Sequence, residues 1–379
     1  MREIVILGST GSIGVQALEV IAANPDKFKV IALASGGRDP SALILQAHKF
    51  GVKIIGTNTN GDAARALAGT IQVIDGPGAA DEIAAMPCDI VLNAITGSIG
   101  LGPTLAALRA GNKVALANKE SLVAGGELVT AFGLDRIIPV DSEHSALAQC
   151  FLAGSTKEIK RAILTASGGA FRDRTDLSSV TLAEALAHPT WSMGPVVTIN
   201  SATLVNKGLE IIEAHHLFDL PYERIEAVIH PQSVIHSMVE FIDGATIAQL
   251  SPPNMKGPIA YALGRPSRTA AATIPVDWSA AHTWTFAPID GSRFPAVDLA
   301  RYCGARGGGL PAVFNAANEV AVQAFMDGRL EFTAIVKIVA LATAKLDSMG
   351  DSQIRDIADV TGVEQDARKV ARSLVAENK

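Results

Sequence analysis

The chain has 379 residues, which is enough for two or three domains. Hydrophobic residues make up 48% of it and charged residues 18%, the balance of an ordinary globular protein. Its net charge is −6 and it has no long basic run, so we expect no nucleic-acid partner. We expect no membrane partner either, because no stretch approaches the roughly 20 apolar residues of a membrane span.

The cysteines and the N-terminus favour a cytoplasmic location. Cys88, Cys150 and Cys303 lie far apart, with no spacing typical of a metal site or a disulfide framework. Unpaired thiols are typical of a reducing compartment. The N-terminal "MREIVILGS" combines a charged start with an apolar run too short for a signal peptide.

Residues 1–140 alternate between apolar strands and helical patterns. Two helical patterns are "IGVQALEVIAANP" (13–25) and "GPTLAALRAG" (102–111). This alternation predicts a parallel sheet covered on both faces, as in a Rossmann-like α/β domain. The predicted strands are 3–8, 29–35, 53–57, 71–75, 89–94, 113–118 and 136–140.

The first strand ends in a glycine-rich turn, "GSTGSIG" (8–14). Glycines let the backbone approach a pyrophosphate, which then lies at the positive N-terminus of the next helix. The GxxGxxG spacing departs from the usual GxGxxG, so a plain glycine-rich turn is the alternative. An NADH site usually has an acid at the end of the second strand to bind the ribose 2′-hydroxyl. Here Arg38 comes before the first acid, and its charge would favour the 2′-phosphate of NADPH. We expect Asp39 to point away from the cofactor.

The stretch "PVDSEHSALAQC" (139–150) places two acids beside a serine at the end of a strand. In an extended chain, Asp141 and Glu143 would share one face and Ser142 would occupy the other. Paired carboxylates suit a hard divalent cation. The alternative is a helix start, in which Asp141 or Ser142 caps the following helix.

Small polar and ionisable residues are dense between residues 141 and 270. In "NSATLVNKGLEIIEAHHLF" (200–218), helical spacing places Asn206, Lys207 and Glu210 on one face, with Ser201 predicted as an N-cap. Such groups near helix starts are typical of a site for a phosphate ester, and Glu210 could be a third metal carboxylate. Further polar residues are Ser167 after a strand at 162–166, His188 and Trp191 in the loop "HPTWSMG", and His230, Ser233 and His236 on a predicted strand.

The last third of the chain changes character. Residues 271–294 are rich in turn signals and predict a linker, to which Trp278 and Trp284 would give apolar anchors. Residues 295–379 predict a small helical domain. In it, "NAANE" (315–319) indicates a buried, hydrogen-bonded helical turn rather than a second site.

Eight motifs follow one another along the chain: "GSTGSIG", "ALANKESLV", "PVDSEHSA", "TASGG", "HPTWSMG", "NSATLVNKGLE", "HPQSVIHS" and "NAANEVAV". Together they resemble the 1-deoxy-D-xylulose 5-phosphate reductoisomerase family. The resemblance implies three parts: an N-terminal Rossmann-like NADPH domain (1–140), a central α/β catalytic and dimerisation domain (141–270) and, after the linker, a C-terminal helical domain. One departure is "ASGGR" (34–38), where the family more usually has a Gly–Lys–Asn turn.

The resemblance also implies roles for individual residues. Metal ligands would be Asp141, Glu143 and Glu210, holding Mg²⁺, Mn²⁺ or Co²⁺, and these acids with Lys119 would be catalytic. Cofactor contacts would come from Thr10, Gly11, Ser12, Ile13, Gly36, Gly37, Arg38, Asn118, Glu120 and Gly194. The phosphorylated sugar substrate would meet Lys119, Ser142, Glu143, Ser167, His188, Trp191, Ser201, Asn206, Lys207, Glu210, His236 and Met255.

The implied activity is NADPH- and metal-dependent rearrangement and reduction of 1-deoxy-D-xylulose 5-phosphate to 2-C-methyl-D-erythritol 4-phosphate, in a homodimer. Either an α-ketol shift or a retro-aldol/aldol sequence would rearrange the carbon skeleton. Two other classes share the first domain: a semialdehyde or homoserine type of NADP-dependent dehydrogenase, and a non-catalytic NADPH sensor. The semialdehyde type would need a nucleophilic cysteine, and a sensor would show no metal-dependent turnover.

Overall fold

A computed structural model describes residues 1–270, 272–350 and 352–378. The predicted linker begins at residue 271 and the predicted helical domain ends at residue 379, and both of these positions lie outside the described residues. The chain folds into two units, each with its own sheet. The first comprises Met1–Leu122, Gly126–Ser145 and Asn254–Ile274, and the second comprises Val123–Gly125, Ala146–Pro253 and Pro275–Lys379.

The first unit contains a seven-stranded parallel sheet in the order β4-β3-β2-β1-β5-β6-β7. All the strands predicted for residues 1–140 form, which confirms the Rossmann-like α/β class. Strand order reverses between β1 and β5, and such a reversal opens a crevice at the carboxyl ends of the strands. The strands are β1 (Arg2–Leu7), β2 (Phe28–Ser35), β3 (Ile54–Thr57), β4 (Gln72–Asp75), β5 (Ile90–Asn93), β6 (Lys113–Leu116) and β7 (Ile137–Pro139).

The second unit contains a mixed five-stranded sheet in the order β11-β10-β8-β9-β12. β8 and β9 are parallel, whereas β10 runs antiparallel to both β8 and β11. The carboxyl end of β8 therefore lies beside the amino end of β10. The strands are β8 (Ile159–Ala166), β9 (Ile225–Ile229), β10 (Ile235–Phe241), β11 (Thr246–Leu250) and β12 (Ala287–Pro288).

Helices cover both sheets. None of those in the described part of the chain combines the length and the apolar character that a membrane span needs. The helices are α1 (Ser12–Ala22), α2 (Pro40–Phe50), α3 (Gly61–Ala68), α4 (Ala79–Ala84), α5 (Leu101–Arg109), α6 (Lys119–Thr130), α7 (Ser142–Cys150), α8 (Leu182–Leu186), α9 (Pro195–Ala202), α10 (Val205–Phe218), α11 (Lys256–Gly264), α12 (Ala296–Arg306), α13 (Leu310–Met326), α14 (Phe332–Asp347) and α15 (Ile357–Glu377).

The packing groups the chain differently from the four predicted segments. Helix α11, whose residues fall within the predicted central domain, buries Ile259 and Leu263 in the core of the first unit. Arg2 Nη1 also donates to the Leu263 carbonyl at 2.8 Å. The C-terminal helices form as predicted but share one core with α10, where a Cβ at Gly208 would lie only 2.7 Å from the Cβ of Ala300.

Three local predictions were wrong. Ser201 is not an N-cap but lies in the last turn of α9, because the helix begins earlier, at Pro195. His230 and Ser233 lie in the turn between β9 and β10 rather than on a strand. Trp278 does not anchor the linker, since 67% of its surface is exposed and its ring contacts are with His282 and Trp284 of the same segment.

The buried turn "NAANE" was predicted correctly. Asn318 Nδ2 donates to Asn200 Oδ1 of α9 at 2.9 Å, and both side chains are buried. Asn315 Nδ2 donates to Glu319, whose carboxylate pairs with Arg368 of α15 at 2.9 Å. These polar groups therefore join α13 to its neighbouring helices within the second unit.

One consequence of this packing is an acid-sensitive histidine. Burial, and to a lesser extent His215, lowers the pKa of His216 from 6.5 to about 4. The unfolded chain therefore binds a proton that the folded chain excludes, and stability falls as the pH drops from about 6.5 to about 4. Over that pH range, the free energy of unfolding of the parent chain should fall by roughly 2–3 kcal/mol more than that of His216→Gln, as measured by urea denaturation. His48→Gln, at an exposed position of α2, is the control, and identical acid sensitivity of parent and His216→Gln would contradict the assignment.

Candidate active site

The glycine turn occupies the loop between β1 and α1, at the point where strand order reverses. Gly8 has φ +79°, and a Cβ there would lie 2.6 Å from the Ala94 carbonyl oxygen. A Cβ at Gly14 would lie 2.3 Å from the Gly8 oxygen, so these two glycines are required by the turn itself. Thr10, Gly11 and Ser12 are exposed, which leaves their backbone and hydroxyl groups accessible to a ligand, while Ile13 is half-buried.

The loop after β2 is held by residues that follow β3. Gly37 has φ +82°, and its carbonyl accepts a hydrogen bond from Asn60 Nδ2 at 2.8 Å. Thr59 Oγ1 donates to the Gly36 carbonyl at 2.9 Å. Arg38 follows on the surface. The Asp39 carboxylate caps α2 by accepting from the backbone amides of Ser41 and Ala42.

Asn118 is buried at the N-cap of α6. Its amide nitrogen donates to the carbonyls of Ile95 and Gly97 at 2.6 and 2.9 Å, and also to Glu120 Oε2 at 2.9 Å. Its carbonyl oxygen accepts from Ser121. Asn118 therefore fixes the loop after β5, and its amide is already occupied by the protein.

Lys119 and Asp141 meet although they are 22 positions apart, because β6 and β7 are neighbours in the sheet. Lys119 Nζ lies 2.7 Å from Asp141 Oδ2, and both side chains are mostly buried. Burial alone would raise the pKa of Asp141, but the Lys119 ammonium, with a smaller effect from His144, outweighs it and holds the pKa well below its usual range. Asp141 is therefore ionised and suited to bind a cation.

The acids after β7 lie at a helix start rather than in an extended chain. Helix α7 begins at Ser142, so the predicted strand-like alternation of side chains was wrong. The Glu143 amide donates to Asp141 Oδ1 at 3.3 Å, which supports the capping alternative. Ser142 Oγ donates to the Glu143 carboxylate. Capping and cation binding are compatible, because a carboxylate has two oxygens and several lone pairs.

In the second unit, α10 brings three predicted site residues together. Asn206 Nδ2 donates to Glu210 Oε1 at 2.5 Å, and the buried Lys207 ammonium donates to Glu210 Oε2. This confirms the shared helical face that the i, i+3 and i, i+4 spacing predicted. Lys207 also donates to the Thr165 carbonyl on β8, so α10 is tied to the sheet.

Ser167 and His188 meet at the end of β8. His188 Nδ1 accepts from the backbone amides of Thr190 and Trp191, so the proton of the neutral ring lies on Nε2. Nε2 is 2.9 Å from Ser167 Oγ and donates to it, as does the Gly169 amide at 3.2 Å. Burial, and then the Arg172 guanidinium, lowers the pKa of His188, which favours this neutral form. The Ser167 hydroxyl proton is left to donate to a ligand.

The remaining predicted residues surround these groups within their own units. In the second unit, the rings of Trp191 and His236 are 6.1 Å apart, and His236 Nε2 lies 3.1 Å from both the carbonyl and the hydroxyl of Ser251. Gly194 is the exposed N-cap of α9. Met255 belongs to the first unit, where it precedes α11 and packs against the core.

Sequence reasoning missed the residues that support these groups. Thr59 and Asn60 shape the loop before Arg38, and Thr165 receives the Lys207 ammonium on its carbonyl. Arg172 donates to the Ser167 carbonyl at 3.2 Å. Thr59, Asn60 and Arg172 lie outside the quoted motifs, and Thr165, although part of "TASGG", acts through its main-chain carbonyl. Each of these residues makes a main-chain contact that only the folded chain creates.

Family models match most of the chain. A model described as 1-deoxy-D-xylulose 5-phosphate reductoisomerase matches residues 4–126, and two models of the C-terminal domains of this enzyme match residues 137–218 and 250–370. A reductoisomerase of that name from Kitasatospora griseola is 54% identical over 98% of this chain and 100% of the relative. This chain belongs to the 1-deoxy-D-xylulose 5-phosphate reductoisomerase family. A relative of the same name from Rhodococcus jostii is 55% identical over 99% of this chain and 94% of its own length.

Solved structures of the family have the same fold. The reductoisomerase from Zymomonas mobilis, in complex with NADPH, is 39% identical, with a TM-score of 0.91 and 99% coverage of both chains. Another reductoisomerase, in complex with NADPH, fosmidomycin and magnesium, is 37% identical, with a TM-score of 0.92 over 99% of this chain and 98% of that one. The fold and family expected from the sequence motifs are confirmed.

Proposed function

We propose that this chain converts 1-deoxy-D-xylulose 5-phosphate into 2-C-methyl-D-erythritol 4-phosphate, with NADPH and a divalent cation, in isoprenoid precursor synthesis. The observation that carries this proposal is similarity to reductoisomerases along the whole chain, at 54% identity over 98% of its length. The local geometry of each unit supports the proposal. The first unit supplies a turn for the dinucleotide, both units supply carboxylates for the cation, and the second unit supplies polar groups for the substrate phosphate.

The glycine turn of the first unit fits a dinucleotide. Gly8 and Gly14 permit the tight turn at the point where strand order reverses, and Thr10, Gly11 and Ser12 are exposed there. Arg38 offers an exposed cation for the 2′-phosphate. NADPH is the partner named in solved structures of the family. The residues proposed to hold it are Thr10, Gly11, Ser12, Ile13, Gly36, Gly37, Arg38, Asn118, Glu120 and Gly194.

The carboxylates fit a hard divalent cation. We propose Asp141, Glu143 and Glu210 as ligands of Mg²⁺, with Mn²⁺ or Co²⁺ as substitutes, because oxygen donors suit these ions. The low pKa of Asp141 keeps one of these donors charged without the ion. A relative is solved with magnesium, which supports the same choice of ion here.

The polar groups of the second unit fit a phosphate ester. Ser167 presents a hydroxyl donor, and the buried Lys207 ammonium and the Asn206 amide both bind the Glu210 carboxylate. Charge-assisted hydrogen bonds of this kind are strong, and the phosphate of the substrate is a dianion at neutral pH. The residues proposed for the phosphate are Ser167, His188, Ser201, Asn206 and Lys207, with Ser142, Trp191, His236 and Met255 for the carbon chain.

The chemistry then requires little further from the protein. When bound, the cation supplies Lewis acidity to the substrate's carbonyl and adjacent hydroxyl, and NADPH supplies the hydride that reduces the rearranged aldehyde. Lys119 places its ammonium where negative charge develops on the substrate oxygens. Trp191 covers the carbon chain and excludes water, while the phosphate-binding residues fix the substrate far from the bonds that change. Both an α-ketol shift and a retro-aldol/aldol sequence are compatible with these roles.

A cysteine-dependent dehydrogenase fits less well. Burial raises the pKa of Cys150 to about 11 and that of Cys303 to about 12, so neither is a ready thiolate nucleophile. Burial also raises the pKa of Cys88 to about 11.

We also propose a cytoplasmic location, which the three free thiols support. Recovery of the native protein in a secreted or membrane fraction would contradict that location.

The deciding experiment measures loss of NADPH absorbance with deoxyxylulose phosphate, with and without Mg²⁺. We expect metal-dependent turnover in the parent chain and a fall on the order of 10²-fold in Asp141→Asn and Glu210→Gln, with NADPH affinity retained. Glu223→Gln, at an exposed position, is the control. A parent chain that binds NADPH without turnover would favour the sensor class, and near-normal turnover in both variants would contradict the ligand assignment.

The second experiment concerns cofactor choice. Arg38→Ala removes the counter-charge of the 2′-phosphate, so the preference for NADPH over NADH should fall by about tenfold or more in kcat/KM. Arg65→Ala is the control, because Arg65 is paired with Asp62 and Asp75 elsewhere in the first unit. An unchanged preference in Arg38→Ala would place the discriminating contact at another residue.

We also propose a homodimer formed through β11. Within the described residues, this strand pairs only with β10, so its other edge presents main-chain groups that no strand covers. Nearby, Ile242 and Ile247 expose 68% and 40% of their surfaces. An antiparallel pairing of two β11 strands across a two-fold axis would cover both features.

Light scattering during gel filtration tests the dimer. Ile247→Lys should shift the mass toward the monomer, because two like charges would face each other across the axis. Leu67→Lys is the control, since Leu67 is half exposed in α3 of the first unit. A parent chain that runs as a monomer would refute the proposal, and a dimer unaffected by Ile247→Lys would refute the role of β11.

A further inference from the structure

The segment between Ser167 and His188 starts with a bend at two glycines. Gly168 and Gly169 have φ angles of +83° and +66°, which glycine adopts freely and other residues rarely do. The segment must be placed accurately, because a Cβ at Gly169 would lie 2.6 Å from the Ser201 carbonyl oxygen of α9.

Arg293 binds this segment through its main chain. Its Nη2 donates to the Arg172 carbonyl at 2.7 Å, and its Nη1 donates to the Arg174 carbonyl at 2.8 Å. On its other side, Nε lies 3.1 Å from Asp290 Oδ2, and the guanidinium lies 5.1 Å from the centre of the Phe294 ring. The Arg293 guanidinium thus contacts Asp290 and Phe294 while its two terminal nitrogens bind carbonyls two residues apart.

Arg172 and Arg174, whose carbonyls Arg293 binds, make further contacts toward the two ends of the segment. Arg172 Nη1 donates to the Ser167 carbonyl at 3.2 Å, toward the start of the segment. Arg174 pairs with Glu184 at 2.8 Å and donates to Ser179 Oγ at 2.9 Å, toward the helix that precedes His188. Restraints from Arg293 therefore reach both members of the Ser167–His188 pair.

We propose that Arg293 is a positioning residue for the phosphate of the substrate. It acts by fixing the carbonyls of Arg172 and Arg174, and through them the hydrogen-bonded pair of Ser167 and His188. This inference rests on the proposed function, in which that pair binds the phosphate. Lysine cannot replace Arg293, because a single ammonium lacks the planar guanidinium geometry that reaches two carbonyls and a carboxylate at once.

Steady-state kinetics of Arg293→Lys test the proposal. The KM for deoxyxylulose phosphate should rise roughly 5- to 50-fold, because small displacements of a binding group are costly, while kcat changes less. The KM for NADPH should stay within about twofold of the parent value, since the cofactor contacts are made by other residues. General loss of folded protein would lower the apparent kcat and leave both KM values unchanged.

Arg301→Lys is the matched control. Arg301 also binds two carbonyls in the second unit, those of Tyr222 and Ile225, at 2.6 and 2.5 Å, but that segment carries no proposed site residue. It should lower the melting temperature without raising the KM for the sugar phosphate. Asp290→Asn is the second variant: Asp290 is half exposed, and its loss of charge should loosen Arg293 and raise the same KM by a smaller factor.

The outcomes separate this inference from the proposed function. If the parent chain shows no turnover of deoxyxylulose phosphate, the proposed function fails. If the parent chain is active and the KM for the sugar phosphate is unchanged in Arg293→Lys and Asp290→Asn, only the positioning role is overturned. It is also overturned if Arg301→Lys raises that KM to the same degree as Arg293→Lys. Should Arg293→Lys not fold, the KM of Asp290→Asn decides alone.

Discussion

The second unit depends on a buried ammonium. Lys207 is 3% exposed, and a charge in that position is costly unless it is paired and hydrogen-bonded. Glu210 and the Thr165 carbonyl supply those partners, so Lys207 fixes the position of α10 along β8. The Thr165 hydroxyl lies 2.7 Å from the carbonyl oxygens of both Ile235 and His236 on β10 and shares its one proton between them. Removal of either charged partner would leave the other buried without that counter-charge, which is why this pair constrains the polar cluster around it.

The first unit contains a second pair of the same kind. Lys119 and Asp141 are mostly buried and 2.7 Å apart, and the ammonium keeps the carboxylate ionised. In both units a lysine therefore neutralises a carboxylate that is proposed as a metal ligand. Such pairs hold their charges in fixed positions before any ligand arrives, so less reorganisation is needed when charge develops in a reaction. The cost is stability, because a buried ion pair seldom stabilises a fold more than apolar packing would.

Arginines have a different part in this fold. Arg172, Arg293 and Arg301 each donate to main-chain carbonyls of loops or strand starts rather than forming only ion pairs. A guanidinium has five donors in a rigid plane, so it can satisfy several carbonyls that no neighbouring strand reaches. Loops are thereby ordered without regular secondary structure, including the one between the proposed site residues Ser167 and His188.

Local features were determined by the sequence itself. Apolar runs and their spacing predicted the seven strands of the first sheet, because side-chain periodicity reflects which face of an element is buried. The glycines of the first turn and the shared face of Asn206, Lys207 and Glu210 were also predictable, since both depend on residues within one or two turns of chain. The motifs identified the family for the same reason: each is a short, contiguous run.

Only the tertiary structure decided which distant residues meet. Lys119 reaches Asp141 because β6 and β7 pair, and α11 joins the first unit although it follows a long stretch of the second unit in sequence. Ser201 was placed wrongly because Pro195 at the first turn of α9 moved the helix start upstream. The contacts of Arg293 with the carbonyls of Arg172 and Arg174 span about 120 positions and use main-chain acceptors that every residue possesses. Periodicity and motifs carry no signal for such contacts, because the packing of whole elements creates them.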